Sequence, residues 1–317
     1  MSQSSRTTEE SPTQTQEVGL SMTVPQLGVV HHGDGPLLVL AGAGSGKTAS
    51  IVTRAGRMIN EGKLPEHHLM LTFSKKAAEE MRNRLDGLVG NALSDRMQIR
   101  TFHAFGDQFI RAYPAECGRQ PDHTVLDERD QRNLFTRMLK ELFKVDNEKF
   151  KKLDVKGWLR TYSLLAQEGY SAGMRTAAQP FAEHFTRYGI EQQRQMNWLW
   201  KVFSVFETFK TEQNVCDFND LLTLPVRALE TNEFLAKDAG RRYPYITVDE
   251  TQDTNQAQYR LIRAIGQDHR NVVFVGDDDQ SLYSWRGAHP ENLQDFVRDF
   301  QPRVLKLEEN WHSAERQ

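Results

Sequence analysis

Six short apolar runs recur along the chain and are separated by longer stretches with helical spacing. The runs are LLVL at 37–40, LMLTF at 69–73, QIRTF at 98–102, YITVDE at 245–250, VVFVG at 272–276 and VLKL at 304–307. Short, continuous apolar strands that alternate with helices are typical of a parallel sheet covered by helices on both faces. The pattern therefore predicts an α/β fold built around such a sheet.

The chain between the third and the fourth run has a different periodicity. Segment 134–143 carries two adjacent apolar stripes at helical spacing, formed by Leu134, Met138 and Leu142 and by Phe135, Leu139 and Phe143. Segment 196–209 repeats this spacing with Met196, Leu199, Phe203 and Phe206. We predict an all-helical inserted subdomain at 112–230, which divides the α/β domain into residues 21–111 and 231–317. Residues 1–20, rich in Ser, Thr, Gln and Glu, are predicted to be a disordered tail.

Composition and charge narrow the range of functions. The 317 residues include 40 Lys and Arg against 43 Asp and Glu, so any nucleic acid must bind a local cleft, not a generally basic surface. No apolar run approaches the roughly 18 residues that a membrane span needs. The first residues lack the features of a targeting signal, and the two cysteines lack the spacing of a zinc site. We therefore expect a cytoplasmic protein without membrane contact.

A glycine-rich segment follows the first apolar run directly and precedes a helical stretch. It comprises Ala41, Gly42, Ala43, Gly44, Ser45, Gly46, Lys47 and Thr48. A strand, a glycine-rich turn, Lys-Thr and a helix form a phosphate-binding loop, whose backbone N–H groups surround the phosphates. Lys47 would reach the β- and γ-phosphate oxygens, and Thr48 would offer its hydroxyl to Mg²⁺. The pattern G-x-x-x-x-G-K-S/T is met except at Ala41, and the alternative is a glycine-rich turn with a stray lysine.

Two adjacent carboxylates, Asp249 and Glu250, follow the fourth run at the end of a predicted strand, where open α/β sheets bind ligands. Because Mg²⁺ prefers oxygen ligands and keeps several waters, Asp249 is a candidate for holding it through water. Glu250 is a candidate for orienting or deprotonating the attacking water. An Asp-Glu pair alone is more often a solvated turn. Together with the phosphate-binding loop, it predicts ATP and Mg²⁺ as cofactors, with Lys47, Asp249 and Glu250 as catalytic residues and Thr48 and Asp249 at the metal.

Five segments, in this order, closely resemble the motifs of superfamily 1 DNA helicases of the UvrD/Rep/PcrA type. They are AGAGSGKT, TFSKKAAEEM, TFHAF, VDETQDTNQAQ and VGDDDQSLYSWRGA, and the resemblance runs from about residue 22 to 313. It implies a RecA-like P-loop NTPase fold and an ATP-dependent motor that moves 3′ to 5′ along DNA. The family motor has two RecA-like domains with helical inserts, and this sequence resembles the first of them with its insert.

The resemblance assigns further residues around the nucleotide. Gln26 resembles the glutamine that reads the adenine edge, a role that an amide can fill with one donor and one acceptor. Gln280 resembles the glutamine that senses the γ-phosphate and couples it to the DNA site. Trp311 stands where the family has a tyrosine that stacks on the base, and tryptophan is a fair substitute. Taken alone, Gln26 would be an ordinary surface residue, and the acidic segment before Gln280 a solvated turn.

The resemblance also implies contacts with single-stranded DNA, which such motors hold by base stacking and phosphate contacts. Phe73 and Trp285 would contact bases, and Tyr283 is a third aromatic residue just beyond a predicted strand. Thr72, His103 and Arg286 would lie in the DNA or coupling path. Without the resemblance, each aromatic is as readily a core residue, and His103 a buried histidine with its hydrogen bonds satisfied. The partners implied are single-stranded DNA or a junction of single and double strands.

The insert carries a basic segment. Residues 132–160 hold nine Lys or Arg and four Asp or Glu, interleaved with Phe135, Phe143, Phe150 and Trp158, which imitates a nucleic-acid surface. Because Phe135 and Phe143 already belong to an apolar stripe, we assign both to the core of the insert. The basic face stays open as a contact for duplex or single-stranded DNA.

Two substitutions and the extent of the match set the expected activity. Ala49 replaces an arginine that packs on adenine in the family, and His312 replaces an arginine that touches the γ-phosphate. Histidine is mostly neutral at pH 7 and lacks the guanidinium fork that meets a phosphate. The second RecA-like domain, in cis or in trans, would supply an arginine finger, whose loss costs about 10³ to 10⁵ in rate. This polypeptide alone is therefore expected to bind Mg·ATP modestly, hydrolyse it poorly and not unwind DNA.

The sequence is consistent with three functions. The first is the N-terminal motor domain of a DNA helicase. The second is an interaction module that uses ATP only as a conformational latch, suggested by Ala49, His312 and the missing half of the motor. The third is a small-molecule kinase, which shares the phosphate-binding loop but leaves TFHAF and SLYSWRGA without a role.

Overall fold

The computed structural model describes residues 22–143, 153–170, 190–277 and 291–307, and the predicted tail at 1–20 lies outside them. Its strands are β1 (Leu37–Ala41), β2 (His68–Thr72), β3 (Gln98–Thr101), β4 (Thr124–Val125), β5 (Val215–Cys216), β6 (Tyr245–Val248), β7 (Val272–Gly276) and β8 (Arg303–Leu307). Each of the six apolar runs lies in a strand, which confirms the strands predicted from the sequence.

Helices occupy most of the chain between the strands. They are α1 (Val24–Val30), α2 (Lys47–Asn60), α3 (Lys75–Val89), α4 (Asn91–Ser94), α5 (Phe102–Ala112), α6 (Pro114–Cys117), α7 (Glu128–Phe143), α8 (Val155–Gln167), α9 (Ile190–Glu212), α10 (Asp220–Thr231), α11 (Glu233–Arg242), α12 (Gln256–Gly266) and α13 (Glu291–Phe300). Short 3₁₀ turns cover Pro65–His67 and Thr251–Asp253. Within the described ranges, no helix combines the length and hydropathy that a bilayer crossing requires.

Six strands form one parallel sheet in the order β3-β2-β6-β7-β1-β8. Two apolar cores cover it, because successive side chains of a strand point to opposite faces. In β1, Leu38 packs with α5, α10 and α12, whereas Leu37 and Val39 pack with α2 and α3. The expected α/β fold, a parallel sheet with helices on both faces, is confirmed.

A third core holds the helices of the insert together. Phe135 and Met138 of α7, Leu159 of α8 and Phe203 of α9 are buried in it. Phe135 is therefore a core residue, as predicted, whereas Leu142 at the end of its stripe is 45% exposed. The only strands among the described residues of this region are β4 and β5, which pair in parallel beside the junction with the α/β domain.

Helix α10 lies within the predicted insert range but packs in the core of the sheet domain, against α5 and α12. Its contact with α5 is between backbones. A Cβ built on Gly106 would lie 1.7 Å from the carbonyl oxygen of Leu221. Since only glycine lets the two helices approach this closely, Gly106 fixes the position of α10 next to α5. The limits of the insert at 112 and 230 stay a prediction.

A buried group of charges joins the insert to the sheet domain. The ammonium of Lys210, wholly buried on α9, donates to Asp217 at 2.9 Å, to Asp220 at 2.7 Å and to the hydroxyl of Tyr162 at 2.7 Å. Glu207 lies 3.4 Å from the same ammonium. Although burial disfavours the charge, the surrounding carboxylates raise the pKa of Lys210 above its ordinary value. This network ties α8 and α9 to the first turn of α10.

Candidate nucleotide and DNA site

The glycine-rich segment forms a loop between β1 and α2. Strand β1 ends at Ala41 and helix α2 begins at Lys47, with Gly46 as its N-cap at φ 78°. This left-handed conformation is strained for residues with a Cβ, which explains glycine at the position. Helix α2 thus presents its N-terminus at the end of this loop, and helix N-termini attract phosphate oxygens.

Gln26 packs directly on this loop. It lies in the first turn of α1, where it forms a capping box with Thr23. Its Nε2 donates to the carbonyl oxygen of Ser45 at 2.8 Å, and its Oε1 accepts from the N–H of Thr23 at 2.8 Å. A Cβ on Gly46 would come within 2.6 Å of that Nε2. Because both amide atoms have protein partners, an adenine contact would use the remaining N–H and lone pair.

The first two side chains of α2 contact the two predicted carboxylates that follow β6. The Nζ of Lys47 donates to Oε2 of Glu250 at 3.0 Å, and the hydroxyl of Thr48 donates to Oδ2 of Asp249 at 3.1 Å. These partners lie 203 and 201 positions apart in the sequence. They meet because β6 and β1 flank β7 in the sheet and all three strands end at the same edge. The structure thus brings four of the predicted residues together.

The electrostatics of this group suit a cation. Burial of Asp249, with the charge of Glu250 beside it, raises the pKa of the Asp249 carboxyl to about 6, against the opposing effect of Lys47. A divalent cation would relieve this unfavourable pair of carboxylates. Thr48 and Asp249 offer hard oxygen donors of the kind that Mg²⁺ prefers. The residues present therefore fit Mg²⁺ together with a polyphosphate.

Gln252 was not singled out from the sequence, yet it links three parts of the site. Its Nε2 donates to Oε2 of Glu250 at 2.5 Å, and its Oε1 accepts from the N–H of Asp277 at 3.1 Å. Glu250 itself adopts a left-handed conformation at φ 55°, which turns its side chain toward Lys47. Gln252 therefore fixes the end of β6 to the end of β7. The only indication of this role in the sequence is an amide side chain two residues after the carboxylate pair.

A protein-family model, the UvrD/REP helicase N-terminal domain, matches residues 22–301. The chain belongs to this family. Similar proteins include the ATP-dependent DNA helicase Rep of Escherichia coli (strain K12), 34% identical over 89% of this chain and 40% of Rep. Another is the ATP-dependent DNA helicase PcrA of Staphylococcus aureus (strain Mu50), 31% identical over 92% of this chain and 38% of PcrA. The chain thus spans less than half the length of these relatives.

Three of the residues assigned from the sequence to a DNA path lie at or just after the ends of β2 and β3. Phe73 follows β2 and is 57% exposed, so its ring is free for contact. Thr72 is wholly buried, and its hydroxyl has no hydrogen-bond partner among the described residues. His103 lies in the first turn of α5, after β3, and burial lowers the pKa of its ring, which favours the neutral form. The assignment of these three to DNA stays a prediction.

Phe218, between β5 and α10, is a further exposed aromatic residue. Its ring is 50% exposed and meets the ring of His103 edge to face, with centroids 5.9 Å apart. The contact places an exposed aromatic next to a predicted DNA residue, although 115 positions separate the two in the sequence. The sequence around Phe218 does not indicate this exposure. In the structure the usual pattern is reversed, because the polar residues Asp217 and Asp220 are buried and the apolar Phe218 between them is exposed.

Several predicted residues fall outside the described ranges. They are Gln280, Tyr283, Trp285, Arg286 and Trp311. The same holds for His312 and for the middle of the basic segment, including Phe150. Their assignments stay predictions.

Proposed function

We propose that this chain is the ATP-binding motor domain of an ATP-dependent 3′–5′ DNA helicase or translocase, which binds single-stranded DNA and hydrolyses ATP. The observation that carries the proposal is the meeting of Lys47 with Glu250 and of Thr48 with Asp249 at one edge of the sheet. Residues from such distant parts of the sequence come together here in the pattern that phosphoryl-transfer chemistry needs. The 3′–5′ direction rests on the family resemblance alone, and the cytoplasmic location stays a prediction from the sequence.

In the proposed mechanism, the loop N–H groups and Lys47 would bind the triphosphate, while Thr48 and Asp249 would hold Mg²⁺. When bound, the metal neutralises charge on the phosphate oxygens. Lys47 exchanges its contact with Oε2 of Glu250 for one with a phosphate. That exchange frees a lone pair on Oε2 of Glu250 to accept a proton from the attacking water. Gln252 keeps the carboxylate oriented by its hydrogen bond to the same oxygen.

The DNA half of the proposal rests on the neighbouring strands. β2 lies between β3 and β6, so the exposed ring of Phe73 and the His103–Phe218 pair follow strands beside the nucleotide site. Aromatic rings at this edge suit bases of any sequence, because stacking contributes roughly 1–3 kcal/mol per base without reading its identity. Gln252 accepts a hydrogen bond from the N–H of Asp277. The next residues along the chain include Gln280 and Trp285, which the family resemblance assigns to coupling and to base contact.

The proposal includes a second RecA-like domain, in cis or in trans, as the partner that completes both clefts. Alone, the chain is proposed to bind Mg·ATP and to hydrolyse it slowly, because an arginine finger would come from that partner. Relatives named ATP-dependent DNA helicase, such as Rep and PcrA, support this assignment through the shared N-terminal domain.

The test is a titration of ATP hydrolysis against oligo-dT, with the chain alone and with a second RecA-like domain supplied separately. We expect single-stranded DNA to stimulate hydrolysis in the combined sample. No stimulation there would contradict the motor function. If Glu250→Gln then retained ATP-dependent partner binding at the wild-type level, the latch function would replace it, since a latch needs binding but no turnover.

A further inference from the structure

An open groove lies on the insert, outside the nucleotide site. It has a volume of about 760 Å³ and runs between helices α7 and α8, with the ring of Phe218 at one wall. Four cations line it, namely Arg129, Arg132, Lys156 and Arg160. Arg129 and Arg132 are three residues apart on α7, and Lys156 and Arg160 are four apart on α8. At these spacings, each pair occupies one face of its helix.

None of these four cations has a hydrogen bond or ion pair within the described ranges, and all four are exposed. Several surface cations elsewhere are paired with carboxylates, as in Arg57 with Glu61, Arg84 with Glu80, Arg96 with Glu66 and Lys237 with Glu233. Two acids, Asp127 and Glu128, lie at the edge of the groove beside the start of α7. The groove therefore has an excess of unpartnered positive charge, although the chain as a whole is slightly acidic.

The walls of the groove are fixed to the segment that carries Phe218. The amide of Gln131, on α7, donates to Oδ2 of Asp217 at 2.9 Å. The amide of Asn219 donates to the hydroxyl of Ser163, on α8, at 3.2 Å. Phe218, between those two anchors, contacts His103. The groove thus begins where the proposed DNA path at the end of β3 stops.

We propose that this groove binds the phosphate backbone of single-stranded DNA that continues from His103 past Phe218 onto the insert. The inference rests on the proposed function and extends its DNA site. Unpaired exposed cations favour a polyanion, since neutralising phosphates releases counterions. The exposed ring beside them favours a single strand over a duplex, because only unpaired bases are free to stack on Phe218.

The test compares two charge-reversal variants of the full 317-residue chain. The groove variant is Arg132→Glu/Arg160→Glu. The control variant is Arg137→Glu/Lys201→Glu, which changes the same charge on α7 and α9 outside the groove. Binding of oligo-dT on the order of 6 and 20 nucleotides long is measured by fluorescence anisotropy across a range of salt concentrations. Circular dichroism melts confirm that both variants fold, as expected for exposed side chains.

Losing two single-strand phosphate contacts should lower the salt slope by about 1.4, which is on the order of 25-fold in affinity at 0.1 M salt. We expect this loss for the long oligonucleotide in the groove variant, a change below twofold for the short one, and rescue by Arg132→Lys/Arg160→Lys. Equal loss in the control variant, or no loss in the groove variant, would overturn the inference. A selective loss for a blunt hairpin duplex would also overturn it. If the short oligonucleotide does not bind the wild type, the proposed DNA function itself fails.

Discussion

Replacing Glu250 by glutamine removes one negative charge from the nucleotide site while keeping the size of the side chain. In the structure, Oε2 of Glu250 accepts hydrogen bonds from Lys47 at 3.0 Å and from Gln252 at 2.5 Å. An incoming phosphate competes with Glu250 for the same ammonium. The substitution should therefore affect ATP binding and ATP hydrolysis in opposite directions.

The size of the binding effect follows from the exposure of the pair. The side chains of Lys47 and Glu250 are 12% and 31% exposed, so the ion pair is partly screened by solvent. Pairs of this kind contribute up to about 1 kcal/mol, which corresponds to roughly fivefold in affinity. Glu250→Gln should thus bind ATP about two- to fivefold more tightly. Hydrolysis should fall by about 10² to 10⁴, the usual contribution of a general base.

The assay is calorimetric titration with Mg·ATP, together with phosphate release in the presence of oligo-dT and the second domain. Glu61→Gln is the matched control, because Glu61 pairs with Arg57 at the far end of the same helix α2. That variant should keep wild-type values in both assays. Weaker ATP binding by Glu250→Gln, or hydrolysis at the wild-type rate, would refute the roles assigned to Glu250 and Lys47.

Three further predictions concern stability, measured by urea denaturation. Gly106→Ala should destabilise the chain by about 3 kcal/mol or more, because its Cβ would overlap a backbone oxygen of Leu221; an effect below about 1 kcal/mol would contradict the close approach of α5 and α10. Lys210→Met should cost about 3–5 kcal/mol, because it leaves the buried carboxylates with only Arg119, 3.5 Å from Asp220, as a cation; a neutral effect would contradict the role of the Lys210 charge in this network. Burial lowers the pKa of His68 from 6.5 to about 3, so stability is retained above pH 6.5 and lost as the pH falls and the unfolded chain takes up a proton. Between pH 7.5 and 5 this loss is about 2 kcal/mol, and it should disappear in His68→Phe, which keeps the stack on Tyr245; equal pH dependence in both proteins would refute it.

The sheet was predictable from the sequence because its strands are buried on both faces. Such strands are continuous apolar runs, and each of the six runs lies in one of them. The phosphate-binding loop was equally evident, because Gly46, Lys47 and Thr48 follow a strand and open a helix. Local pattern thus specified the elements and the two halves of the nucleotide site, β1–α2 and the end of β6.

Relations between distant residues were not predictable from local pattern. The strand order, which puts β7 between β6 and β1, depends on packing across the whole domain. Gln252 acts through hydrogen bonds to both neighbouring strand ends, and its own sequence context is unremarkable. Phe218 lies between two buried aspartates, so only the structure separates its exposed ring from a core phenylalanine. The basic groove could not be predicted either, because it forms only where helices α7 and α8 of the insert lie side by side.

The most direct test of the nucleotide site is binding of ATP, with and without Mg²⁺, to the wild type and to Lys47→Ala and Thr48→Ala. Lys75→Ala is the control, because Lys75 opens α3 after β2 as Lys47 opens α2 after β1. We predict one site, a loss of about 10-fold or more in Lys47→Ala, as for a charged hydrogen bond, and loss of the Mg²⁺ dependence in Thr48→Ala alone. Unchanged ATP affinity in Lys47→Ala would contradict the account.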